Sequence, residues 1–123
     1  MAGKETVLLV GQNLFFLSRV ESLAESRGYE LLRAADEDSF WKHFRLQKPS
    51  LLLVDLEGDE ATWSKVLEGI QLEKQGVKLV AFGPHENVAV LERDRGLGCD
   101  LVLNKGEFNR DLLKIFESMV PSE

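Results

Sequence analysis

The chain has 123 residues, enough for one domain spanning 1–123 and too few for a separate output module. Hydrophobic residues make up 44% and charged residues 29%, a globular balance that excludes a disordered chain, and 15 basic against 21 acidic residues leave a net charge of −6, which argues against nucleic acid as the main partner. A single cysteine excludes an internal disulfide and a multi-cysteine metal site and fits a reducing, cytoplasmic setting. The longest apolar runs have four residues, as in Val7-Leu8-Leu9-Val10, so no segment of the sequence can span a bilayer as a helix, and the start lacks the apolar stretch of a signal peptide.

Thr6 to Val10 reads as a strand ended by Gly11. From Leu14 to about Arg27, Phe16, Val20, Leu23 and Ala24 form one stripe of a helix closed by Gly28. Tyr29 to Ala34 reads as a second strand. Asp36, Glu37, Asp38 and Ser39 then supply caps and negative charge for a short helix, about Phe40 to Gln47, which Pro49 stops. Leu51 to Val54 is apolar on both faces, the mark of a buried strand. Trp63, Val66, Leu67 and Ile70 mark a third helix ending near Gly76. Val77 to Phe82 reads as a fourth strand, Gly83-Pro84 as a turn, and about Glu86 to Arg95 as a fourth helix. Leu101 to Leu103 is the fifth strand. Asn109 is placed to cap a last helix, with Leu112, Ile115, Phe116 and Met119 on one face. Five βα units with such strands predict an α/β, flavodoxin-like three-layer fold: a five-stranded parallel sheet in the order 2-1-3-4-5 with five helices.

In such a sheet a site gathers at the carboxyl ends of the strands, near the switch point between strands 1 and 3. Those ends carry Gly11, Gln12 and Asn13, then Asp55 and Glu57, then Gly83 and His85, and last Lys105. Asp55 closes an apolar strand, where an unpartnered carboxylate is costly to desolvate, and Lys105 is its expected counter-charge. The pair either ties two loops together or takes part in chemistry.

These residues resemble the receiver domain of two-component response regulators (CheY-like). The likeness runs from about Thr6 to Val120. Leu51-Leu52-Leu53-Val54-Asp55 is similar to the strand bearing the phosphoacceptor aspartate. Gly98-Cys99-Asp100-Leu101-Val102-Leu103-Asn104-Lys105 is similar to the segment leading to the receiver lysine, and Val7-Leu8-Leu9-Val10 to the first strand. The resemblance also implies two acids after strand 1 that hold Mg²⁺, and these positions are Gly11 and Gln12. Mg²⁺ requires hard oxygen ligands, usually with carboxylates among them, so Asp55 with an amide from Gln12 or Asn13 makes a poor site; Glu57 is a weak further candidate. Where the family has a switch Ser or Thr there is Gly83, where it has a rotating aromatic there is Val102, and the proline after the lysine is Gly106.

The expectation is therefore a degenerate pseudo-receiver, not an enzyme, with no cofactor or metal, acting by protein contact. The resemblance implies a histidine kinase, another regulator or an output protein as partner, with a homodimer also open and neither nucleic acid nor membrane involved. One alternative is weak, conditional phosphorylation on Asp55. Another is a small flavodoxin-like protein binding an anion or nucleotide at Gly11, Gly83 and His85, although no glycine-rich phosphate loop follows strand 1. Leu14, Phe15 and Leu17 cannot all share the inward stripe of helix 1, so either an apolar interaction surface emerges there or they pack under neighbouring loops. Of Phe40 and Trp41, one ring must point outward. His43 is expected to be solvated, His85 to be a polar residue at a helix start, and Cys99 to pack under the last helix.

Overall fold

The computed structural model describes residues 5–11, 14–73, 75–93 and 95–119. Uniformly apolar strands need cover on both faces, and the chain supplies it by returning through a helix after each one. The elements are β1 (Thr6–Val10), α1 (Leu14–Ser26), β2 (Glu30–Ala34), α2 (Glu37–Leu46), β3 (Leu51–Asp55), α3 (Glu60–Ile70), β4 (Lys78–Gly83), α4 (His85–Arg93), β5 (Leu101–Asn104) and α5 (Lys105–Glu117), with a short 3-10 turn at Arg95–Gly98. The five strands are parallel in the order β2-β1-β3-β4-β5, as expected.

Alternation along each strand divides the core in two. Leu8, Val10, Leu52, Val54, Leu79 and Ala81 face α2, α3 and α4, where Phe40, Val66, Leu67 and Leu91 meet them. Val7, Leu9, Leu53, Val80 and Phe82 face α1 and α5, against Phe16, Val20, Phe108 and Phe116. In this second layer Phe82 and Phe108 stack with centroids 3.8 Å apart, and Phe16 meets both edge-on at 5.3 and 5.4 Å. Burying each such ring is worth about 1.5–3 kcal/mol.

Several boundaries depart from the periodicity reading. The last helix begins at Lys105, a turn before the expected Asn109 cap. Asn104, the final strand residue, is itself the cap: its side chain accepts from Glu107 N at 2.8 Å while Glu107 Oε1 accepts from Asn104 N at 2.9 Å. This reciprocal box leaves no loop between strand and helix. α2 likewise starts early, because Asp36 and Ser39 form the same kind of box, and α3 ends at Ile70 rather than near Gly76. Cys99 packs against the α2–α3–α4 layer, not under α5, because it follows the 3-10 turn that lies over that face. Phe40 is buried, and Trp41 is the half-buried ring, lying over the bare backbone of Gly69 with the Arg45 guanidinium 4.6 Å from its centre. His43 is half-buried on α2 and His85 is the exposed first residue of α4.

Candidate functional site

Asp55 ends β3 with only 5% of its surface exposed. Its Oδ1 accepts from the Glu57 backbone N–H at 2.9 Å, a turn that swings Glu57 back across the carboxyl end of the sheet. Burial raises the Asp55 pKa above the ordinary carboxylate range; the Glu57 N–H opposes that shift, the Glu57 charge adds to it and Lys105 opposes it only weakly.

The expected Asp55–Lys105 pair does not form. Lys105 Nζ instead donates to Glu57 Oε1 at 2.6 Å. Lys105 is fixed in the first turn of α5 by the Asn104 cap, and the Asp55 turn carries the Glu57 carboxylate to the ammonium while Asp55 itself stays below. Glu57, read from the sequence as a weak metal candidate, is thus the cation's partner.

Gly11 follows β1 and Gly83 ends β4, on either side of β3, and each has a packing reason for being glycine. Gly11 has φ +152°, and a β-carbon there would lie 2.6 Å from Asp55 Cβ. At Gly83 a β-carbon would lie 2.8 Å from Leu56 Cβ and 3.3 Å from the Leu56 backbone. Leu56 is held in turn by two hydrogen bonds, its N–H to Phe82 O at 2.7 Å and its carbonyl accepting from Asn87 Nδ2 at 2.6 Å. Neither position can take a side chain without displacing backbone or the root of a buried residue. Val102, opposite Ala81 in the sheet, packs half-buried against the α2–α3–α4 layer. Gln12 and Asn13 lie outside the described residues.

Over Asp55 opens a cavity of about 510 Å³ lined by Val10, Gly11, Ala35, Trp63 and the acidic loop with Glu57 and Asp59. Asp59 caps α3, its Oδ2 accepting from Thr62 N at 3.2 Å and Thr62 Oγ1 at 2.9 Å. Three carboxylates at its lining disfavour an anion. Ala35, Asp59 and Trp63 were invisible to motif reading, because they come from loops and a helix that only the fold brings to Asp55. His85 is not part of this lining.

The described residues do not fit a divalent cation. Among them Asp55 is the one buried carboxylate, Glu57 is engaged by Lys105, and Asp59 spends Oδ2 on the start of α3, which leaves too few oxygens for the ion's array. Among the described residues no group of three or more His, Cys, Asp or Glu side chains is arranged to hold a metal ion.

Of the apolar residues on α1, Phe15 is 66% exposed, Leu17 is half-buried against the α1–α5 layer, and the Leu14 side chain lies outside the description. Phe15 borders a groove between α1 and α5 that Ser18, Ser22, Asn109 and the exposed Leu113 also line. Arg19 Nη2 bridges the two helices by donating to Asn109 O at 3.0 Å. Among the described residues no helix is long and apolar enough to cross a membrane.

This architecture is that of response-regulator receiver domains. The chain is similar to the N-terminal signal receiver domain of a two-component response regulator from Bacteroides fragilis (TM-score 0.77, 17% identity, 98% of this chain and 100% of that one). It is also similar to the chemotaxis response regulator CheY4 of Vibrio cholerae (0.75, 16%, 95% and 99%) and to a response regulator from Thermotoga maritima (0.76, 18%, 97% and 99%). No protein-family model and no curated protein matches the sequence.

Proposed function

We propose that this chain is a cytoplasmic, receiver-like module of two-component type that is not an enzyme and acts through protein contact, without Mg²⁺-dependent phosphotransfer to Asp55. One observation carries the reading. At the two positions where the family resemblance asks for an acid and a hydroxyl, Gly11 and Gly83, a β-carbon would collide with Asp55 and Leu56. Phosphoryl transfer depends on positioned charge around the phosphoacceptor. Here the lysine is spent on Glu57, and at one of the two acid positions Gly11 brings backbone close against Asp55. Asp55 and Lys105 are the phosphoacceptor-equivalent and lysine-equivalent positions of an inert site. The exposed Phe15 beside the α1–α5 groove is the contact surface, for a histidine kinase, another regulator or an output protein, or for a second copy of the chain.

The test is incubation with Mg²⁺ and acetyl phosphate, or with beryllofluoride, followed by intact-mass measurement and amide NMR. The expected result is an unmodified, unperturbed protein. Stoichiometric modification that disappears in Asp55→Asn would overturn the proposal.

A further inference from the structure

We infer that the cavity over Asp55 receives a guanidinium group, in a site where the fold would otherwise seat a metal ion. The inference rests on the reading of Asp55 as phosphotransfer-inert.

Asp55 is more than nine-tenths buried, lines the cavity and has one donor, the Glu57 N–H on Oδ1; its Oδ2 has no donor among the described residues. Among the described residues two cations stand near this end of the sheet, and both are engaged elsewhere. Lys105 is bound to Glu57 at 2.6 Å, and Arg33 Nε donates to the Gly11 carbonyl at 3.1 Å. A carboxylate this buried with no counter-ion is unfavourable, and a cation entering the cavity relieves it. A second free acceptor lines the same space. Asp59 uses Oδ2 for both of its bonds to Thr62, leaving Oδ1 without a donor among the described residues.

The cavity selects the kind of cation. Mg²⁺ holds its water tightly and demands several oxygens in octahedral array, which Asp55 and the one open oxygen of Asp59 do not supply. An ammonium is a compact, strongly hydrated point charge. A guanidinium is planar, weakly hydrated and offers five N–H donors, so it can leave water readily and serve separated acceptors at once. The walls leave room for it: Gly11 has no side chain, Ala35 contributes only a methyl group, and the volume falls within the range of small-ligand sites. The group can come from a small guanidino compound or from an arginine side chain of a partner protein.

The experiment is a titration of the full chain followed by amide and indole NMR, reading Gly11, Gly58 and the Trp63 indole N–H. The probes are agmatine, an acetylated and amidated Gly-Arg-Gly peptide, the same peptide with Lys, and Mg²⁺ alone. Saturable millimolar shifts with the guanidinium probes are expected, with the Lys peptide weaker. Asp55→Asn should weaken binding by about tenfold or more. Ala35→Phe, which fills the cavity from an exposed loop and leaves Asp55 untouched, should abolish it. Tighter binding of the Arg peptide than of agmatine assigns the group to a protein partner, and the reverse to a small molecule; both support the inference. Absence of saturable shifts with either probe, or equal shifts in Asp55→Asn, overturns it. Saturating, Asp55-dependent shifts with millimolar Mg²⁺ would instead overturn the phosphotransfer-inert reading, so the two failures are distinguishable.

Discussion

The carboxyl end of the sheet has two halves built on opposite plans. On the β1–β3 side the loops stand apart and leave a cavity over a buried carboxylate, walled by Gly11 and Ala35. On the β4–β5 side the described residues close on one another. Gly83 lies on Leu56, Phe82 stacks on Phe108, and Lys105 is drawn back to Glu57. The open half can accept a group from outside, whereas the closed half can only hold its shape. The contrast explains why Asp55 and Lys105 do not pair: the two residues belong to different halves, Asp55 beneath the cavity and Lys105 held at Glu57.

Adding volume to each half should break or confirm this contrast. Gly83→Ser puts a side chain where Leu56 and its backbone leave none, and overpacking of this kind costs about 1–3 kcal/mol in chemical denaturation. Ala35→Ser, which adds a hydroxyl on the exposed, open side, should stay within about 0.5 kcal/mol of the parent. Equal effects would erase the distinction.

The next effect concerns charge. Burial raises the Asp55 pKa above its unfolded value, so the fold favours the protonated acid. Its stabilising contribution is present below the unfolded pKa and is lost as pH rises through the folded one. Asp55→Asn should therefore be more stable than the parent at pH 7–8, with the advantage shrinking on acidification below the folded pKa. Thermal melts of both proteins across that range test this, and a variant less stable at neutral pH would show that the carboxylate has a charge partner after all.

The smallest effect is that of Glu57→Gln. The Lys105 bond is partly exposed on both sides, so its loss should cost about 0.2–1 kcal/mol, less at high salt. The informative readout is the Asp55 titration followed by NMR. Its midpoint should fall, because one neighbouring negative charge disappears and Lys105 is released.

The sheet was legible in the sequence because strands buried on both faces must be apolar throughout. Thr6 to Val10 matches β1 residue for residue, and Leu51 to Val54 falls one residue short of β3 because its last member is a carboxylate. Phe15 was legible too, since residues 100° apart cannot share a face with Phe16. The start of α5 was misplaced because Asn104 serves as strand end and helix cap together, a dual role that periodicity does not register. The Lys105 pairing was hidden for a different reason: it depends on the turn made by the Asp55 side chain with the Glu57 N–H, which no spacing between Asp55 and Lys105 encodes. The cavity walls Ala35, after β2, and Asp59 and Trp63, at the start of α3, come from two separate stretches of chain and converge only after folding.

The contact between Gly83 and Leu56 also limits which substitutions can compensate one another. A side chain at Gly83 meets the Leu56 β-carbon and backbone, which every residue but glycine keeps, so shortening Leu56 makes no room for it and only leaves a hole in the core. Room for a hydroxyl there comes only from a shift of the Leu56 backbone, which its hydrogen bonds to Phe82 and Asn87 oppose, so main chain and not side-chain volume keeps this half closed.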